Sequence, residues 1–159
     1  MELYLVRHGI PVDADLWDGP DAARPLTEQG ETQAEQFFRT LGRQGEIGVE
    51  RILTSPFARA LRTAQIAGEV LGAPVEPLAE LSSGATPAAV LKLLESRPDL
   101  PERLMLVGHN PDLPMLVGAL TGQPSLTHGL DRCGAVRLEG ALLPGAMRVL
   151  WRKAPGAAH

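Results

Sequence analysis

The 159-residue chain has a single cysteine, Cys133. That excludes an intrachain disulfide and a cysteine metal cluster, and leaves Cys133 as a small packing residue. Long apolar runs are also lacking: no segment stays apolar for the roughly 18 residues a membrane span needs. The opening Met1-Glu2-Leu3-Tyr4-Leu5-Val6 carries no basic stretch and no leader-like apolar core, so a cytoplasmic location is expected. Positive charge is the third shortage. With 15 Lys+Arg against 19 Asp+Glu, the formal net charge is −4. Duplex nucleic acid is a poor partner for such a surface, because its affinity depends on clustered cations. A local basic pocket for one phosphate group is compatible with that balance.

What is present describes a globular protein. A hydrophobic fraction of 44% is enough to build a core, and the length suits one domain. We expect that domain over residues 1–153 and a disordered tail over 154–159.

Glu2 to Val6 is a short apolar run that stops at Arg7-His8-Gly9, which reads as a buried strand presenting those residues at its end. Ile10 to Pro25 carries three prolines, four aspartates and a glycine without periodicity, and is expected to be a loop with a task beyond connection. Within it, Trp17 is expected to anchor the loop on the core, with contact to a partner as the alternative. Thr27 is the N-cap of a first helix in which Ala34, Phe37, Phe38 and Leu41 share a face, with Gly30 an odd intrusion and Gly42 the close. Arg51 to Thr54 is a second strand, followed by Ser55-Pro56 as N-cap and first helical residue. Pro74 to Leu81 reads as extended, and Thr86-Pro87 starts a third helix running through Leu94. Leu104 to Val107 is a further strand, broken at Gly108-His109-Asn110-Pro111. A fourth helix carries Leu113, Leu116, Val117 and Leu120 on one face, and Gly134–Leu138 and Arg148–Trp151 form two last strands.

Strands alternating with helices predict a three-layer α/β/α sandwich with a largely parallel sheet. In such sheets ligands bind where strands end at their carboxyl edge. Three strand ends carry reactive side chains here: Arg7-His8, Ser55 through Arg59, and His109. One such histidine alone is ordinarily a hydrogen-bonded loop residue. Two of them, with arginines at two of the ends, make a pocket for a dianion. Guanidinium groups bind phosphate oxygens through paired hydrogen bonds and keep their charge. A neutral imidazole nitrogen between them can attack phosphorus in line, and water can discharge the phosphohistidine that results. No metal or other cofactor is needed for this chemistry, and the dispersed histidines offer no metal cluster.

These segments resemble a known family. Leu5-Val6-Arg7-His8-Gly9 is similar to the RHG signature of the histidine phosphatase superfamily, which includes the cofactor-dependent phosphoglycerate mutases. Ser55-Pro56-Phe57-Ala58-Arg59-Ala60 with Thr63-Ala64 resembles its SPxxRAxxTA segment, and Val107-Gly108-His109-Asn110-Pro111 its GHN element. All three stand in family order between Leu3 and about Leu120. The resemblance implies a phosphoglycerate mutase-like fold, His8 as phosphoryl acceptor, and Arg7, Arg59 and His109 as phosphate pocket. It also implies Glu80 as general acid, although a loop glutamate is ordinarily just a solvated charge. Gly9, Asn110 and Ser55 are further candidates for contacting the substrate, while helix capping accounts for Asn110 and Ser55 without a ligand.

Connections are short, so no large inserted cap encloses a small metabolite, and Ile10, Pro11 and Ala14 depart from the mutase pattern. Asp21 to Gly30 resembles a segment of the small bacterial phosphohistidine phosphatases. The expected partner is therefore a phosphorylated protein, with a histidine of a phosphorelay as its phosphorylated group. The alternatives are a small phosphomonoester substrate, or a phosphoprotein-binding module without turnover. Neither nucleic acid nor membrane is an expected partner. His128 and His159 match no motif.

Overall fold

The computed structural model describes residues 1–123 and 129–156. Its six strands are β1 (Glu2–Arg7), β2 (Arg51–Thr54), β3 (Val75–Pro77), β4 (Arg103–Gly108), β5 (Ala135–Gly140) and β6 (Met147–Lys153). They form one sheet in the order β3-β2-β4-β1-β5-β6. The pairs β1–β4, β2–β4 and β2–β3 are parallel, whereas β1–β5 and β5–β6 are antiparallel. The sheet is thus largely parallel, with a C-terminal hairpin added beside β1.

The central strands are apolar on both faces because both are covered. From β1 and β4, Tyr4, Val6, Met105 and Val107 join the core under α1 (Glu28–Arg43) and α2 (Ala58–Leu71). Leu3, Leu5, Leu104 and Leu106 face the other way, into the core shared with α3 (Pro87–Glu95) and α4 (Asp112–Thr121). This alternation is the period-2 consequence of the strand pleat, and it yields the α/β/α layering.

Local chemistry places the helices close to where the sequence predicts them. Thr27 Oγ1 accepts from the Gly30 amide and caps α1, and Ala34, Phe37, Phe38 and Leu41 are its buried stripe. Gly30 has a packing reason. A Cβ there would lie 2.5 Å from the Ile10 carbonyl oxygen, so only glycine lets the first turn of α1 press on the chain leaving His8. Thr86 caps α3 through the Ala89 amide, with Pro87 in the first turn.

Three expectations need correction. Ser55 does not cap α2. Its amide donates to the Val107 carbonyl, which extends the β2–β4 ladder by one residue, so the backbone is still strand-like there and the helix starts at Ala58. Asn110 does not cap α4, where Pro111 occupies the cap position without a side-chain bond. The extended stretch from Pro74 is short: after Pro77 the chain turns into a single 3-10 turn, Ala79–Leu81.

Cys133 packs in the core as expected, and burial pushes its thiol up to about 12. Trp17 does not reach the core: it is half-buried and donates within its own loop to the Pro20 carbonyl at 2.9 Å. Of the tail, Ala154 to Gly156 are placed in a turn after β6. The remainder of the tail, with His159, and also His128, lie outside the described residues. Among the described residues no helix is long and apolar enough to cross a membrane.

Candidate active site

The carboxyl ends of β1, β2 and β4 lie side by side, and they bring Arg7, His8, Arg59 and His109 together. His8 follows β1, and its amide donates to the Gly108 carbonyl at the end of β4. The His8 and His109 rings sit 5.4 Å apart between centroids, and both are buried. Arg59 lies in the first turn of α2, also buried, stacked 5.2 Å from the Phe57 ring centroid. The Phe57 ring in turn meets His109 edge-on at 5.0 Å.

Each ring is held by a defined partner. His8 Nδ1 is 2.8 Å from the Gly9 carbonyl oxygen. A carbonyl can only accept, so Nδ1 carries the proton and Nε2 presents a lone pair. His109 Nε2 is 2.8 Å from Ser55 Oγ. Burial, helped by His109, Arg59 and Arg7, lowers the His8 pKa to about 3, against an opposing bond to the Gly9 carbonyl. Burial and the cations Arg59 and Arg7 likewise lower His109 to about 4, with Asp21 opposing. Both imidazoles are therefore neutral near pH 7, as a nitrogen nucleophile requires.

The same shifts have a stability consequence. In the unfolded chain both histidines titrate near 6.5, so on acidification the unfolded state takes up protons that the folded state refuses. Stability then falls as pH falls from about 6.5 toward the folded values, by roughly 2 kcal/mol per ring between pH 6.5 and 5. Urea midpoints measured across that window should show the slope, and His8→Gln/His109→Gln should flatten it. An unchanged slope in the double variant would place the acid sensitivity elsewhere.

The arginines are tethered from outside. Arg7 Nη1 donates to the Leu130 carbonyl at 2.9 Å. Arg59 donates from Nη1 to the Asp21 carbonyl at 2.9 Å and from Nη2 to Asp21 Oδ2 at 3.1 Å. Asp21 Oδ1 also takes Arg24 Nε at 3.2 Å, and the Arg59 guanidinium holds the Asp21 carboxyl below the usual carboxylate range. Among the described residues, the Nε atoms of Arg7 and Arg59 are buried and have no hydrogen-bond partner. Two orphaned cationic donors beside two neutral imidazoles fit an anion of about two charges.

Three candidates have other tasks. Both polar groups of the buried Gly9 are used internally, its amide by Thr63 Oγ1 at 3.0 Å and its carbonyl by His8. Ser55 is fully buried, its Oγ shared between His109 and the Phe57 amide. The Asn110 side chain is paired with the Leu130 main chain on both sides, donating to its carbonyl and accepting from its amide. Glu80 is exposed on the turn after β3, and its charge is felt by Arg97, which pairs with Glu76. Asp21 is the carboxylate whose charge reaches His109, where it opposes the lowering by burial and Arg59.

Sequence reasoning missed Asp21 and Leu130 as supports. Asp21 opens the stretch that resembles the phosphohistidine phosphatases, yet nothing in its pattern ties it to Arg59, and Leu130 acts through its main chain.

Two neutral imidazoles and two arginines gathered at the strand ends of this fold have the chemistry to hold a phosphate-sized dianion, and comparison with known proteins gives the family. Residues 3–85 match the model of the histidine phosphatase superfamily (branch 1). The chain belongs to that superfamily and is a phosphatase. It is 38% identical over 158 residues to an uncharacterised protein of Picosynechococcus sp. (strain PCC 7002), covering 94% of this chain and 88% of that one. Phosphohistidine phosphatase SixA of Escherichia coli K12 is 37% identical over 84 residues, which is 52% of this chain and 50% of SixA. A solved structure of the protein histidine phosphatase SixA complexed with tungstate superposes with a TM-score of 0.83 at 25% identity, covering 97% of both chains.

Proposed function

We propose that the protein hydrolyses phosphohistidine borne on another protein, through a covalent phosphohistidine on His8. The observation that carries this reading is the neutral His8 with Nε2 bare, beside two arginines whose buried Nε–H groups lack partners, among the described residues.

In the first step His8 Nε2 forms a bond to phosphorus while the phosphorus–nitrogen bond of the substrate breaks. Arg7, Arg59 and His109 hold the equatorial oxygens as charge redistributes. The Gly9 carbonyl stabilises the cationic ring that forms, because it accepts from His8 Nδ1–H. A substrate ring that enters protonated on its other nitrogen leaves as neutral imidazole, so no strong acid is needed and Glu80 is dispensable. In the second step water attacks phosphorus, the bond to Nε2 breaks, and inorganic phosphate leaves.

Two features favour a protein substrate. Among the described residues no large insertion covers the strand ends, which suits a phosphoryl group carried on a bulky partner. The likeness to SixA proteins named as phosphohistidine phosphatases points the same way.

The test is a direct comparison of a phosphohistidine protein with a panel of small phosphomonoesters, in EDTA. We expect kcat/KM to favour the phosphoprotein by at least about tenfold, with turnover unchanged by the chelator. Preference for a monoester would make this a small-molecule phosphatase. Activity lost on chelation and restored by one divalent ion would overturn the histidine-nucleophile mechanism.

A further inference from the structure

We infer that Ser55 sets the tautomer of His109, so that His109 offers the phosphoryl group a proton and not a lone pair. The inference rests on the pocket role proposed above for His109.

Ser55 is fully buried at the end of β2, and its Oγ accepts from the Phe57 amide at 3.1 Å. The same oxygen lies 2.8 Å from His109 Nε2. A hydroxyl has one proton to give and two lone pairs to accept with. If it accepted from an Nε2–H, its own proton would be left without an acceptor among the described residues, on a fully buried side chain. A buried donor in that condition is costly. If it donates to a bare Nε2, the Ser55 hydroxyl, the Phe57 amide and His109 Nε2 are all satisfied. A neutral imidazole with a bare Nε2 carries its proton on Nδ1.

His8 is locked in the same tautomer by the Gly9 carbonyl, but from the opposite end of the ring. His8 is anchored through its N–H and leaves a lone pair free to attack. His109 is anchored through its lone pair and leaves an N–H free to donate. A pair of chemically identical rings, 5.4 Å apart, is thereby divided into nucleophile and hydrogen-bond donor. Phe57 serves the second ring twice, through its amide on Ser55 and its side chain edge-on against His109. Ser55 is then a positioning residue. Without its hydroxyl, His109 is released toward the Nε2–H form, and a lone pair on Nδ1 would oppose the oxygens of the phosphoryl group.

The experiment is nitrogen-15 NMR of histidine-labelled protein without substrate near pH 7, paired with titration of inorganic tungstate. In the parent protein His109 is expected as the Nδ1–H tautomer. In Ser55→Ala it should shift toward Nε2–H, tungstate affinity should fall about 10- to 100-fold, and turnover should fall with it. Ser55→Thr, which keeps the hydroxyl, should restore the tautomer and most of the affinity. An Nε2–H tautomer in the parent protein overturns the inference, and that spectrum needs no variant to fold. An unchanged tautomer in Ser55→Ala overturns it as well, as does a switched tautomer with tungstate affinity within about twofold of the parent. Neither readout uses a phosphohistidine substrate, so a different substrate preference would sink the functional proposal and leave this one standing.

Discussion

His8→Ala is expected to abolish both turnover and the covalent intermediate, with a loss in kcat on the order of 10⁴-fold or more. During turnover of a radiolabelled phosphoryl donor by the parent protein, label should appear on the chain. It should survive an alkaline quench and disappear in acid, because a phosphoramidate is acid-labile. His8→Ala should show no label, while Arg7 and Arg59 still bind vanadate weakly. A drop of only about tenfold would assign His8 to binding, since that is the scale of losing one ordinary hydrogen bond. His109→Ala is the control: transfer slows, and the label stays on His8. Label that persisted in His8→Ala and vanished in His109→Ala would reverse the two roles. The geometry disfavours that reversal, because Ser55 already occupies His109 Nε2 whereas His8 Nε2 has no such partner among the described residues.

Arg59→Lys should lower kcat/KM by about 10²- to 10³-fold although the charge is kept. The reason is the number of bonds one guanidinium makes. Arg59 spends Nη1 and Nη2 on Asp21 and still has a buried Nε–H to give. An ammonium group is a point charge and cannot span the Asp21 main chain, the Asp21 carboxylate and a phosphate oxygen together. Vanadate inhibition should weaken in parallel, and the urea midpoint should stay close to that of the parent. Activity within about twofold, in a stably folded variant, would remove Arg59 from the site.

Much of the architecture was legible in the sequence because the core strands are continuous apolar runs closed by polar residues. Arg51–Thr54 coincides with β2, and the three motif-bearing strand ends all fall on one edge of the sheet. What escaped was cooperation between distant segments. Thr54 to Arg59 matched a strand, a cap and a helix start, yet Ser55 turned toward His109, 54 positions away, because the sheet ladder reached one residue further. Asp21 looked like one aspartate among four in a loop, and its value comes from Arg59, 38 positions on. Gly30 looked out of place in a helix because the neighbour that requires it, the Ile10 carbonyl, belongs to another element. Local propensity and periodicity do not carry such information.

The stretch from Leu130 to Gly134, just ahead of β5, has a larger meaning than its lack of motif suggests. Leu130 holds Arg7 and Asn110 through its main chain, the Cys133 amide donates to the His8 carbonyl, and the Gly134 carbonyl receives the Arg7 amide. Arg7, His8, Arg59 and His109 all precede residue 110, and the splint that aligns the ends of β1 and β4 follows α4. A chain ended after α4 would keep all four side chains and lose the main-chain bonds that align them.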